Sequence, residues 1–259
     1  MNESRLIRIL VIFAVFATVC VAYVRLFGTQ TLDTLEARDL ARKAPFVRER
    51  PTKLSDLSVS HAVGKKLSYF GYGFEVPWND MDEGKCRIIG GNKAIIAFGS
   101  GNVLSVWSGP PHEFVNGVLS YSKVDRESFR RLYGDEVANS DYSFQRLILE
   151  TAPDTITPFI SKRQAASQFW LLFLKGMSSP SSAASGIFEV SAGEFKGFQF
   201  GLPQSSPHGF DVELFSDDGS LDFIFGQKVN GPTTITQADI NRILQTLRKV
   251  PTVPAALNR

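Results

Sequence analysis

The segment FDVELFSDDGSLDFIFG, residues 210–226, decides how this chain is read. Val212 and Leu214 alternate with Asp211 and Glu213, and Leu221, Phe223 and Phe225 alternate with Asp222 and Ile224. Successive side chains of a strand point to opposite faces, so a period of two gathers the apolar groups on one face. Asp217-Asp218-Gly219-Ser220 separates the two runs and supplies turn chemistry. The stretch predicts a β-hairpin with one face turned to a core.

Further strands are predicted on both sides of it. Residues 187–190 and 195–201 lie upstream, and earlier still residues 67–78 place Tyr69, Phe70, Tyr72, Phe74 and Val76 in one aromatic strand region. Residues 86–89, 94–98 and 103–107 read as a meander, turned by Gly90-Gly91-Asn92 and Gly99-Ser100-Gly101-Asn102. Gly71-Tyr72-Gly73 and Gly99-Ser100-Gly101 serve strand ends and turns better than phosphate binding, since neither opens a recognisable helix.

Between the two strand groups three helices are predicted. Residues 125–133 bring Phe129 and Leu132 to one face. Ser140 or Asp141 caps a second helix that runs to Glu150, with Phe144, Leu147 and Ile148 inward. Ser161 caps a third that ends at Gly176 and contains the apolar run 169–174, expected to be buried. A Ser/Ala-rich loop, residues 177–186, leads back to the sheet. A last helix opens at Thr236 with Asp239 at capping-box distance and lines up Ile240, Ile243, Leu244 and Leu247.

The N-terminus is of another kind. Residues 9–24, from Ile9 to Val24, are uncharged and apolar, with Arg8 and Arg25 at either side. Sixteen residues at about 1.5 Å each span roughly 24 Å, and Leu6, Ile7, Leu26 and Phe27 extend the helix towards the roughly 30 Å of a hydrocarbon core. The two arginines can snorkel to the headgroups. A transmembrane signal anchor is expected; the rival is a cleaved secretory signal with Cys20 and Ala22 at its cleavage site. A lipoprotein signal fits worse, because Val19 precedes Cys20 where a small residue is wanted. Basic residues flank both ends, so charge does not set orientation; the usual export layout favours a cytoplasmic N-terminus.

The chain therefore divides into a short tail (1–8), an anchor (9–27), a juxtamembrane helix and linker (28–60), a globular domain (61–250) and a C-terminal tail (251–259). In the juxtamembrane helix Leu32, Leu35 and Leu40 are expected to form the apolar face, before Pro45 ends it, and Arg48, Glu49, Arg50, Pro51 and Lys53 read as polar linker. The fold class is α+β: an antiparallel sheet sandwiched by helices, preceded by one N-terminal transmembrane helix.

Charge narrows the partners. The chain carries 28 Lys and Arg against 26 Asp and Glu, and setting aside Arg5, Arg8, Arg25 and Glu3 balances them. A neutral domain lacks the basic footprint that binding a phosphate backbone requires, so nucleic acid is not expected. Membrane lipid, met through Ile9 to Val24, and another envelope protein are the expected partners. Cys20 lies in the apolar run and only Cys86 in the domain, so no intradomain disulfide can form, which favours a bacterial envelope. Cys86 reads as a small buried hydrophobe.

Chemistry is hard to find. His61, His112 and His208 stand in separate loop contexts, and His112-Glu113 lacks the second histidine of a zinc helix motif. Asp80, Asp82 and Glu83 cluster in an acidic turn without calcium-loop spacing. Ser100 or Ser108 with His112 and a carboxylate is the one hydrolytic set that the fold could assemble. No catalytic, cofactor-binding or metal-ligating residue is assigned on this basis, and no cofactor is expected.

The order of elements, with Gly73-Phe74-Glu75-Val76-Pro77-Trp78, a meander, a helical stretch, the hairpin around Asp217-Asp218-Gly219 and a closing helix, resembles the PsbP-like fold. The resemblance covers residues 67–249, and Gly-Phe-x-x-Pro-Trp is its local echo. It implies an antiparallel sheet between helices and a non-catalytic extrinsic or assembly role at a membrane. The expected function is a membrane-tethered extracytoplasmic domain, single-pass in a cell inner membrane, with a binding, accessory or assembly role. The alternative is an envelope hydrolase with a non-standard active site.

Overall fold

The computed structural model describes residues 3–122, 125–205, 209–226 and 235–250, with side chains from Val19 onward. In chain order the first elements are helix α1 (Glu3–Lys43) and strands β1 (Pro51–Lys53), β2 (Lys65–Tyr69), β3 (Tyr72–Val76), β4 (Arg87–Ile89), β5 (Lys93–Ala97) and β6 (Val103–Gly109). Helices α2 (Glu113–Ser122), α3 (Arg126–Tyr133), α4 (Asp135–Asn139), α5 (Asp141–Glu150) and α6 (Lys162–Ser178) follow. Strands β7 (Ile187–Ala192), β8 (Phe195–Phe200), β9 (Phe210–Ser216) and β10 (Gly219–Gly226), helix α7 (Gln237–Thr246) and strand β11 (Arg248–Lys249) complete the described chain. The protein is α+β, and the chain forms two compact units.

The first unit joins Met1–Arg48 to Thr151–Ser178 and is built on α1 and α6. No new helix starts at Thr31; α1 runs on to Lys43, and the chain turns away at Pro45. Its buried stripe is Gln30, Thr34, Ala37 and Ala41, while Leu32 and Leu35 are 59% and 53% exposed. This corrects the expected leucine face. Small side chains let two helix backbones come close, and Thr34 satisfies its own hydroxyl by donating to the Gln30 carbonyl at 2.7 Å. Ala37, Ala41 and Val47 pack with Ile156 and Leu172 into one apolar cluster. Ser161 caps α6 as expected: its Oγ accepts from the Gln164 N–H, and Gln164 Oε1 accepts from the Ser161 N–H, both at 3.2 Å. The helix passes Gly176 and ends at Ser178. Leu171, Leu172 and Leu174 are buried, but Phe173 is exposed.

Among the described residues no helix is long and apolar enough to cross a membrane. Residues 9–18 of the apolar run lie outside the residues whose side chains are described.

The second unit, Glu49–Glu150 with Ser179–Arg259, holds both sheets. The larger has eight strands in the order β1-β7-β8-β9-β10-β6-β5-β4, and the smaller has the order β11-β3-β2. The large sheet is mixed, because β1 pairs parallel to β7 with Thr52 opposite Phe188. Residues 51–53, expected in a polar linker, thus form an edge strand. Pro51 lacks a donor, which an edge position tolerates.

The predicted β9–β10 hairpin forms, but its turn is only Asp217-Asp218: Gly219 and Ser220 already belong to β10, with Gly219 opposite Ser216 and Leu221 opposite Leu214. Val212, Leu214, Leu221, Phe223 and Phe225 are fully buried and pack with Ile240, Ile243 and Leu244 of α7. Phe74 meets Phe223 edge-on, with ring centroids 5.3 Å apart. Each such ring contributes about 1.5–3 kcal/mol by leaving water. Thr236 and Asp239 form the expected capping box. The single aromatic strand read over 67–78 is instead a hairpin, β2–β3, reversed at Phe70 and Gly71 with φ of 55° and 82°. Two positive φ values in succession match the twist of the flanking strands.

The helical insert is richer than the sequence suggested. Asp125 caps α3 by accepting from the Ser128 N–H at 2.9 Å, and Ser140 accepts from the Ser143 N–H at 3.1 Å at the start of α5. Helix α2 was not foreseen. It contains Gly117, which lowers local helix preference, and its first turn is capped from another element: Asp141 accepts from the Val115 N–H at 2.9 Å. Residues 181–185, read as loop, form a 3₁₀ turn with Ser182 and Ala183 buried.

Candidate functional site

Residues opposite one another in neighbouring strands point to the same side of a sheet. The registers therefore align Glu189, Phe198, Glu213, Asp222, Trp107 and Lys93 in one row across β7 to β5. Asp211 lies two residues before Glu213, so it shares that face. The opposite face carries the phenylalanine core.

Helix α5 covers the β8–β9 part of this row. Tyr142 stacks on Phe198 with centroids 5.4 Å apart and planes 11° apart. Gln145, 1% exposed, donates from Nε2 to Glu213 Oε2 at 3.1 Å. Its Oε1 has no partner among the described residues. Ser182 donates to Asp211 Oδ2 at 2.9 Å. The Glu113 carboxylate, at the near end of α2, and the Ser220 hydroxyl both occupy the space that a side chain at Gly109 would fill.

The electrostatics follow from this placement. Desolvation, and then the charges of Asp222 and Asp211, push the Glu213 carboxyl well above its ordinary range. Asp222 is raised to about 7 by desolvation first, then by Asp211 and Glu113. Asp211 is raised by desolvation, against the lowering effect of its Ser182 hydrogen bond. Among the described residues none of the four carboxylates takes part in an ion pair. The cations nearby are engaged elsewhere: Arg146 with Glu150 at 2.8 Å and Glu189 at 3.7 Å, Lys196 over the Tyr142 ring, and Lys93 4.2 Å from the centroid of Trp107.

Beyond Asp222 the same face is open. Trp107 is 40%, Ile224 37% and Ile89 44% exposed, an apolar and aromatic strip on β4, β6 and β10. Bordering the row at Tyr142, Arg146 and Lys196, a polar depression of about 600 Å³ is also lined by His112, Glu136 and Asp218, charges of both signs. It presents no dominant ligand chemistry.

The residues singled out in sequence do not converge. Ser100 lies in the β5–β6 turn, where its backbone N–H donates to Asp80. Ser108 is opposite Leu221 and therefore on the core side of the sheet. His112, at φ 61°, makes no side-chain hydrogen bond to a serine, cysteine or carboxylate among the described residues. His208 lies outside the described residues. Asp80, Asp82 and Glu83 serve three different partners, the Ser100 backbone, Lys85 and Lys65. No group of three or more His, Cys, Asp or Glu among the described residues could hold a metal ion. Cys86 packs half-buried at the edge of the main core, with Sγ 3.2 Å from the Asp82 carbonyl.

The acidic row was visible as the polar half of the hairpin alternation, but that pattern reads equally well as a solvated face. No protein-family model, curated protein or solved structure matches the chain.

Proposed function

We propose that this protein is a single-pass, membrane-tethered domain facing the extracytoplasmic side of a bacterial inner membrane, where it binds a protein partner without chemistry of its own. The observation that carries this reading is the apolar run 9–24, borne on a helix of 41 residues. At about 1.5 Å per residue such a helix is roughly 60 Å long, about twice a hydrocarbon core. Its apolar part precedes the stripe Gln30 to Ala41 that packs within the first unit, so in this proposal one continuous helix leads from the anchor into that unit. The strip of Trp107, Ile224 and Ile89 supplies the partner surface in this proposal, since exposed aromatic and aliphatic groups on a rigid sheet are the usual centre of an interface.

The test is membrane fractionation of the intact chain and of a chain lacking residues 1–27, followed by pull-down from detergent-solubilised membranes. The intact chain should resist carbonate extraction, the shortened one should not, and Trp107→Ala with Ile224→Ala should lose the captured partner. Recovery of both chains in the soluble fraction would overturn the tether, and capture indifferent to the two substitutions would overturn the surface.

A further inference from the structure

We propose that Glu213 and Asp222 act as a proton-operated latch: a proton held by the pair keeps the helical segment α2–α5 docked on the sheet, and its loss loosens that segment.

The geometry begins with register. Glu213 and Asp222 are direct antiparallel partners on the helix-bearing face, where side chains approach to about 5 Å and like charges oppose each other. Asp211 on β9 and Glu113 on α2 add negative charge to the same neighbourhood. From α5 come Gln145, which is neutral, Tyr142, and Arg146, whose guanidinium is bound to Glu150 and Glu189. From β8 comes Lys196, placed over Tyr142, and β6 contributes Trp107 with Lys93 above its ring. No cation from any of these elements pairs with Glu213 or Asp222 among the described residues. Protonation is thus the means left for the pair to shed charge, and desolvation favours the protonated form.

The contact that reads the proton is Gln145. Its amide offers a donor and an acceptor; the donor already reaches Glu213, and Oε1 stands unpartnered among the described residues. An ionised carboxylate only accepts, whereas a carboxylic acid can also donate. A pair that keeps one proton therefore suits a closed α5 better than one that is doubly ionised.

The segment that yields is the helical one. Strand β9 is bonded to β8 and β10, and β10 to β9 and β6, and both strands have their other face in the phenylalanine core. The helices keep apolar contacts of their own, with Phe129 against Phe144 at 4.8 Å and Phe114 against Phe144 at 5.5 Å. Their contacts with the sheet include Gln145, the Tyr142–Phe198 stack and the Arg146–Glu189 pair, and α5 also packs on β1.

The experiment is amide hydrogen exchange of the full chain in detergent micelles between pH 5.5 and 8.5, corrected for intrinsic exchange rates. As pH rises through about 7, protection of α2 and α5 should fall about tenfold more than that of β9 and β10. Asp222→Asn should remove this difference while keeping the helices protected at high pH. Protection that does not change with pH, an equal fall in helices and strands, or an Asp222→Asn chain with the wild-type profile would each overturn the latch. If that variant does not fold, carbon-13 titration of the wild-type side-chain carboxyls decides: Glu213 and Asp222 both titrating near 4 would overturn it, and one titrating near neutrality would support it.

Discussion

Gln199 and Gln237 exchange two hydrogen bonds in the interior, Nε2 to Oε1 at 2.8 Å in one direction and 2.9 Å in the other. Both are almost fully buried, one on β8 and one on α7, and each amide has a further partner: Gly201 O for Gln199, Asn241 Oδ1 for Gln237. Removing one member strands the other. Gln199→Leu should cost about 1–3 kcal/mol in urea unfolding, and Gln199→Leu with Gln237→Leu less than the sum of the singles. Strict additivity would show that the two amides act independently.

The carboxylate row makes stability depend on pH with a sign opposite to that of most acidic groups. A folded pKa of about 7 for Asp222 against an ordinary value near 3.8 means that the native state holds more protons between those values. Unfolding free energy therefore falls as pH rises from about 4 to 7 and flattens above, where both states have lost the proton. The fall should be on the order of 2–4 kcal/mol, read from urea midpoints at pH 5 and 8, and Asp222→Asn should reduce it by at least half.

Two glycines should respond oppositely to alanine. A Cβ at Gly197 would lie 1.8 Å from the Glu213 carbonyl oxygen, and the backbone there has strands on both sides. Gly197→Ala should cost more than about 3 kcal/mol or prevent folding. A Cβ at Gly117 meets nothing within 4 Å, and the residue lies inside α2. Gly117→Ala should stabilise by about 0.5–1 kcal/mol, measurable as a rise in thermal midpoint.

The proposed anchor is tested by charge. Phe16→Arg puts a guanidinium at the centre of the apolar run and costs about 2.5–3.5 kcal/mol of insertion. The substituted chain should shift towards the soluble or degraded fraction. Intact mass of the native protein separates an anchor from a signal, since cleavage after Ala22 would remove the run.

Several elements are legible in the sequence. The hairpin of residues 210–226, the capping box at Thr236 and the cap at Ser161 depend on neighbours within a few residues, so local pattern states them, while it leaves the cap of α5 open between Ser140 and Asp141. The β2–β3 reversal was missed because Phe70 takes a positive φ, a conformation that its side chain disfavours and that only the ladder around it enforces. Leucines on α1 misled for a related reason: close helix packing selected Ala37 and Ala41, not the most apolar stripe.

By itself the sequence determined the α+β class, the apolar N-terminal run, the absence of a basic footprint and which residues of β9 and β10 share a face, because these follow from composition and from a period of two. Only the tertiary structure decided that the polar face of that hairpin lies partly under α5. Alternation says which side chains point together, but nothing within the hairpin says whether water or another helix will meet them, and that difference turns Asp211, Glu213 and Asp222 from a solvated edge into a desolvated cluster whose carboxyls are pushed above their ordinary range.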